Sequence, residues 1–269
     1  MPLKLHSNTN TTTLKLRNEN NAGGFFVRKG PPDIVRDGLV MHLDAANPYS
    51  YVSGSSTWFD LTGNNNSGSL FNGPIYSNNN GGSIVFDGVD DVVIIGKFPY
   101  TLNNIGTNDV TVNVWSKISV SDANIRYQIG VFPRVGTAFP LGYVNGKMHA
   151  SFSGYNDTTP YFFSVYGTST TLPLNTWIMT TSVIDRSSDI KLYFNGEIEP
   201  TSGSADISSV DGVTFNPSSV YPVCIGGSEF RGPQRLHQGS ISIAQLYFRA
   251  LSAAEVKQNY DAIKGRYGL

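Results

Sequence analysis

The sequence predicts an all-β fold, a sandwich or a barrel, on three observations. Apolar and polar residues alternate in short runs along most of the chain. β-branched and aromatic residues dominate these runs, with 15 Phe, 14 Tyr and 3 Trp in 269 residues. Clusters rich in Asn and Gly separate them. Alternation is the period of a half-buried strand, and many short strands punctuated by turns indicate a sandwich or barrel.

Taken in order, the strand candidates are residues 39–43, 83–86, 92–95, 110–115, 125–132, 147–153, 161–166, 177–184, 190–194 and 241–248. The turn clusters include Gly63-Asn64-Asn65-Asn66 and Asn78-Asn79-Asn80-Gly81-Gly82. Asn145-Gly146 and Asn195-Gly196 lie between alternating runs and predict hairpins, because a type I′ turn needs φ > 0 at both central residues. One helix is expected near the C-terminus. Ser252-Ala253-Ala254-Glu255 is a capping box, Val256, Tyr260 and Ile263 follow on one face, and Gly265 supplies a stop.

Composition excludes several classes. Charged residues make up 14% of the chain, against roughly 25% in ordinary soluble domains. The net charge of −1 gives no bulk attraction to nucleic acid or anionic membrane. The longest apolar run, residues 92–95, falls far short of the roughly 20 residues that span a bilayer. The first residues show no apolar core of a signal peptide, so none is expected. A single cysteine, Cys224, excludes an intrachain disulfide framework and cysteine-rich zinc sites; it reads as a small buried hydrophobe at a strand end.

Charge is unevenly distributed. Residues 1–36 carry six basic and two acidic side chains, while the remaining residues carry 13 basic and 18 acidic ones. Leu3-Lys4-Leu5 is echoed by Leu14-Lys15-Leu16-Arg17 in strand-like alternation. Two short strands are marginal alone, so these pieces are expected to pair with a sheet edge, that of a partner included. The boundary is placed near Asp37: an extended N-terminal arm over 1–36 and a main domain over 37–269.

Five phrases of the main domain occur together. They are Gly38-Leu39-Val40-Met41-His42-Leu43-Asp44, Trp58-Phe59-Asp60-Leu61-Thr62-Gly63, Ile84-Val85-Phe86-Asp87-Gly88-Val89-Asp90-Asp91, Lys191-Leu192-Tyr193-Phe194-Asn195-Gly196 and Arg249-Ala250-Leu251-Ser252-Ala253-Ala254-Glu255-Val256. In this order they resemble a laminin G-like domain of the concanavalin A-like lectin/glucanase superfamily. The resemblance implies a jelly-roll sandwich of two antiparallel sheets over about residues 38–268. The ending, Gln258 to Gly268, and the layout of arm plus one domain resemble phage-encoded virion members of that family.

The chemistry of the chain is sparse. Glucanases of the superfamily place two carboxylates on one strand, as in Glu-x-Asp-x-Glu, to flank the scissile bond. None of the five glutamates begins such a motif; Glu197 and Glu199 share a strand but read as a solvated hairpin rim. His6, His42, His149 and His237 lack catalytic context, and no enzyme is expected. Some relatives hold calcium at a loop rim, for which Asp87, Asp90 and Asp91 are the candidates. Asx turns account for Asp87 and Asp90 without an ion, and no cofactor is expected. For a glycan or partner rim the candidates are Tyr155, Tyr161, Arg231 and Arg235, and loop positions are also read for Tyr49, Tyr51 and Tyr221.

The reading favoured by arm and resemblance together is a non-enzymatic virion structural protein. It is a capsid decoration protein on the outer surface of a phage particle, attached through Leu3, Lys4, Leu5, Leu14, Lys15, Leu16 and Arg17. The alternative is a carbohydrate-binding module of a tail or head fibre. The expected partners are a major capsid protein or another virion protein, or in the alternative a host surface glycan. Self-association is left open, and neither nucleic acid nor membrane is expected.

Overall fold

The computed structural model describes residues 32–96, 102, 104–131, 137–156, 159–215, 221–227 and 235–269. Alternating runs become strands, and their turn clusters become tight connections. In chain order the strands are β1 (Leu39–Asp44), β2 (Thr57–Trp58), β3 (Gly68–Phe71), β4 (Ile75–Ser77), β5 (Ser83–Asp87), β6 (Val92–Ile95) and β7 (Val110–Ile118). There follow β8 (Arg126–Val131), β9 (Leu141–Val144), β10 (Lys147–Asn156), β11 (Thr159–Gly167), β12 (Trp177–Ile184) and β13 (Ile190–Phe194). The last are β14 (Glu197–Glu199), β15 (Thr201–Gly203), β16 (Val223–Ile225) and β17 (Gln238–Tyr247), ahead of α1 (Ala253–Ile263), the single α-helix among the described residues.

They form two antiparallel sheets. One runs β14-β13-β12-β7-β17-β5-β4, with β1 also paired to β17; the other runs β15-β11-β10-β9-β8-β16-β6-β3-β2. The two-sheet jelly-roll sandwich is thereby confirmed. β17 organises its sheet. One edge pairs along its length with β7, while the other pairs first with β5 and then with β1. A bulge between Ile241 and Ile243 changes the facing parity, so Ile241 and Ala244 both enter the core while Ile243 faces outward. The hairpin turns form where expected. Asn145 and Gly146 (φ 50° and 69°) join β9 to β10, and Asn195 and Gly196 (φ 50° and 83°) join β13 to β14.

Alternation decides what lies between the sheets. Val110, Val112, Val114 and Ile118 of β7 meet Ile178 and Ile184 of β12, and face Leu141, Met148, Ala150 and Phe152 of the opposite sheet. Two polar devices interrupt this apolar layer. Gln128 of β8 crosses it, donating to Ser116 Oγ (2.5 Å) and accepting from Thr180 Oγ1 (2.9 Å). Arg186, 0% exposed, donates to the carbonyls of Val210 (2.7 Å from Nη2), Val213 and Gly106 (3.0 Å). Its guanidinium also lies 5.1 Å from the ring centre of Phe215 and 5.8 Å from that of Phe152.

The outer face of the first sheet is apolar too, which explains the helix. Trp115, Met179, Val183, Tyr193, Ile243 and Tyr247 are covered by Val256, Leu251 and Val35. The capping box is present: Ser252 accepts from the Glu255 amide, and the Glu255 carboxylate accepts from the Ser252 amide. The expected stop at Gly265 is corrected. The chain continues through it as a 3-10 turn over Lys264–Tyr267 and reverses at Gly268, φ 74°. Tertiary contacts hold the extra turn. Arg266 forms a two-pronged pair with Asp44, 2.8 Å at each oxygen, and the Tyr267 ring stacks on Trp115 (4.6 Å) and Trp177 (4.7 Å).

Just before the expected boundary at Asp37, residues 33–36 reach this same face. Asn259 Oδ1 accepts from the Val35 amide (2.8 Å), Tyr247 Oη donates to the Val35 carbonyl (3.0 Å), and Gln258 donates to the Asp33 carbonyl (2.7 Å). The arm residues Leu3, Lys4, Leu5, Leu14, Lys15, Leu16 and Arg17 lie outside the described residues. Among the described residues no helix is long and apolar enough to cross a membrane.

Candidate functional site

The second sheet turns its other face to solvent. On β10, Met148, Ala150 and Phe152 belong to the core, so His149, Ser151 and Ser153 point the opposite way. On β11, Val165 is buried in the core and Tyr161 and Phe163 pack against it, so Phe162, Ser164 and Tyr166 point outward. The register sets these residues directly opposite each other in pairs: His149 with Tyr166, Ser151 with Ser164, and Ser153 with Phe162. They line a groove of about 280 Å³, together with Tyr127, Pro140, Ala138 and Arg235.

A row of rings crosses the groove floor. Tyr166, His149, Gly142 and Tyr127 occupy adjacent positions on β11, β10, β9 and β8. Gly142 has no side chain, and a Cβ there would meet the Arg126 carbonyl oxygen at 2.0 Å. The rings on either side lean over the gap: centroids are 4.8 Å apart for His149 and Tyr166, and 6.0 Å apart for His149 and Tyr127. Arg235 lies above the Tyr127 ring at 5.9 Å and donates to its hydroxyl at 3.2 Å. His149 Nε2 is 2.9 Å from Ser164 Oγ. Burial, reinforced by the nearby positive charge of Arg235, lowers the His149 pKa to about 4, so its imidazole is neutral at neutral pH. Phe162 is 71% exposed and Tyr166 37%, and the two lie on the same face of one strand. Exposed ring faces beside hydroxyls and a guanidinium can stack on the apolar face of a sugar and bond its hydroxyls.

Of the residues expected at a glycan rim, Arg235 is in this groove. Tyr161 is not, and its expected loop position is corrected. It belongs to β11 rather than a loop, and its ring meets Phe215 edge-on at 5.8 Å on the core side. Arg231 and the Tyr155 side chain lie outside the described residues. Tyr51 is buried and stacks on Tyr76 at 5.2 Å, whereas Tyr49 is exposed. The sequence reading missed Phe162, Tyr166, Tyr127, His149 and the serines. A signal was present in Tyr161-Phe162-Phe163-Ser164-Val165-Tyr166: aromatics occupy both parities of one strand, so some of them must leave the core.

Asp87, Asp90 and Asp91 place one carboxylate oxygen each within 4.8 Å of the others, and can hold a divalent cation such as calcium. Asp91 is raised above the usual carboxylate range, first by burial and then by the charges of Asp87 and Asp90. The Asx turn is present as well, with the Val89 amide donating to Asp87 Oδ1 at 2.7 Å. Asp44 and Asp60 are otherwise engaged. Asp44 pairs with Arg266, and Asp60 accepts from the amides of His42, Thr62 and Asn66.

Glu197 and Glu199 do not form a hydrolytic pair. Glu199 is buried, and its carboxylate accepts from the amides of Ser169 and Thr170 (2.8 Å each) and from Thr170 Oγ1 (2.6 Å), which fixes the loop after β11. Glu197 is exposed on the hairpin rim. Cys224 is buried within β16, as expected of a small hydrophobe.

A sequence profile of the concanavalin A-like lectin/glucanases superfamily matches residues 87–257. No curated protein matches the chain. Among solved structures, the binding domain of Paraclostridial Mosquitocidal Protein 1 is similar at a TM-score of 0.61 and 17% identity, over 83% of this chain and 52% of that one. The ligand-binding domain of botulinum neurotoxin serotype D, solved in complex with N-acetylneuraminic acid, is similar at 0.61 and 16%, over 84% and 51%. Domain 4 of AbnA, an extracellular GH43 arabinanase from Geobacillus stearothermophilus solved in complex with arabinotriose, is similar at 0.54 and 16%, over 82% and 98%. The chain thus spans about half the length of the two toxin domains and nearly all of the arabinanase domain. At these identities the likeness is one of fold.

Proposed function

The chain belongs to the concanavalin A-like lectin/glucanases superfamily, and from that premise we propose that it is a non-catalytic carbohydrate-binding module whose ligand lies in the groove across β8 to β11. The observation that carries the reading is the pair of exposed rings, Phe162 and Tyr166, flanking a floor of serine hydroxyls on a rigid sheet. Such a floor is set by strand register rather than by loops, so the groove is preformed and little ordering cost attends binding. The likeness to a toxin domain solved with N-acetylneuraminic acid and an arabinanase domain solved with arabinotriose supports a sugar as the ligand class. The spent carboxylate of Glu199 supports binding without hydrolysis.

Glycan-array screening followed by calorimetry tests this. Phe162→Ala removes an exposed ring at little cost to the fold, and should weaken the best glycan about tenfold, the scale of one lost stacking contact of about 1.4 kcal/mol. Unchanged affinity in Phe162→Ala would move the site elsewhere, and absence of any glycan binding would overturn the module. Decoration of a virion surface through residues 1–36 stands as a second proposal. It rests on the charge and alternation of that segment, and incorporation of a 1–36 deletion into particles would refute it.

A further inference from the structure

We infer that the groove selects sugars bearing a carboxylate, with Arg235 as the anion-reading residue; this rests on the carbohydrate-binding reading of the same groove. Among the described residues no aspartate or glutamate lines the groove, and His149 is neutral, so Arg235 is the charged group of the described lining. Arg126, Arg249 and Arg266 each have a carboxylate partner, with Asp122 at 2.7 Å, Glu255 at 2.6 Å and Asp44 at 2.8 Å. Arg186 is enclosed by carbonyls. Arg235 is half-buried, and its polar contact among the described residues is the neutral Tyr127 hydroxyl.

A guanidinium carries five N–H donors in a planar fork. One is used on Tyr127, and the fork is steadied from below by the Tyr127 ring. The remaining donors suit a planar anion, and a carboxylate can take two of them side by side. Ser151, Ser153 and Ser164 supply hydroxyls for the rest of a sugar ring, and Phe162 and Tyr166 supply faces for its apolar side. A ligand with a carboxylate on a hydroxylated, partly apolar ring uses all three features. A neutral sugar uses two of them and leaves the cation without a counter-charge among the described residues, which is unfavourable. The carboxylated sugars fall into two chemical classes, uronic acids and nonulosonic acids.

The test uses matched pairs on the full chain: sialyllactose against lactose, and digalacturonate against galactobiose, by calorimetry at low and at moderate salt. Each acidic member should bind at least tenfold more tightly than its neutral partner, and the preference should shrink as salt rises. Arg235→Gln should erase the preference, with the acidic member's affinity falling at least tenfold toward that of its neutral partner. A melting temperature unchanged in Arg235→Gln would show that the fold is intact. Equal binding of both members of each pair, with no effect of Arg235→Gln, would overturn the inference while leaving the module reading in place. Binding of none of the four would overturn the inference through its foundation. A sulfated lactose binding more tightly than sialyllactose would overturn the carboxylate assignment. Which acidic member binds assigns the class.

Discussion

Arg186→Met tests the reading that a buried cation ties the loops at one end of the sandwich. The substitution keeps the length of the side chain and its contact with Phe152 and Phe215 but removes every guanidinium donor. Four carbonyls, those of Gly106, Asn108, Val210 and Val213, lose a partner, the bond to Asn108 being the weakest at 3.5 Å. An orphaned buried acceptor costs about 1–3 kcal/mol, with the full range applying to Val210, whose bond is buried, the low end to the part-buried Gly106 and Val213, and little to Asn108, whose bond is long. The sum is about 3–5 kcal/mol. Relief of the desolvated charge offsets part of it, leaving about 3 kcal/mol. For a domain of this size that corresponds to a fall in melting temperature of roughly 6–12 °C. Scanning calorimetry should rank the three proteins by donor count, with the wild type most stable, Arg186→Lys next and Arg186→Met least. A loss below about 1 kcal/mol for Arg186→Met would mean the carbonyls find water, and that the arginine does not tie the loops.

Acid should destabilise the fold well above the range in which carboxylates titrate. His237 is fully buried, and burial together with Arg126 lowers its pKa from 6.5 to about 3. Between those values the unfolded chain takes up a proton that the native state refuses, so stability falls as pH drops from about 6.5 toward 3, by at most about 5 kcal/mol for this residue. His149 adds to the same slope over the narrower window down to about 4. Urea midpoints at pH 7, 5.5 and 4 should decline steadily, and a flat profile would contradict the burial of these rings. Glu199→Ala should cost about 1–3 kcal/mol by stranding the Ser169 and Thr170 amides, yet leave glycan affinity unchanged; an effect on affinity without one on stability would reverse the role assigned to it.

Features that depend on a few neighbouring residues were legible in the sequence. Asn145-Gly146 and Asn195-Gly196 specify their turns through backbone conformation alone, and Ser252 with Glu255 closes a local hydrogen-bond ring. The strands at 92–95, 177–184 and 190–194 have the bounds their alternation predicts. What failed depends on distant partners. Gly265 could have ended the helix, but Asp44, Trp115 and Trp177, far away in the chain, hold the next turn in place. Tyr161 and Phe162 are indistinguishable by composition, and only the pairing of β10 with β11 decides which enters the core. The groove gathers residues from Tyr127 to Arg235, and no local pattern announces that assembly.

The helix and the groove occupy opposite outer faces of the sandwich, one behind the first sheet and the other in front of the second. A bead or sensor chip that grips the molecule through a tag after Leu269 will therefore hold it by its back and leave the groove facing the liquid. Random coupling through surface amines, which include Lys147 at the turn into β10, would instead turn some molecules face-down and hide the groove. Orientation on a support thus becomes a control in its own right: the fraction of active molecules should be higher for end-tethered than for amine-coupled protein.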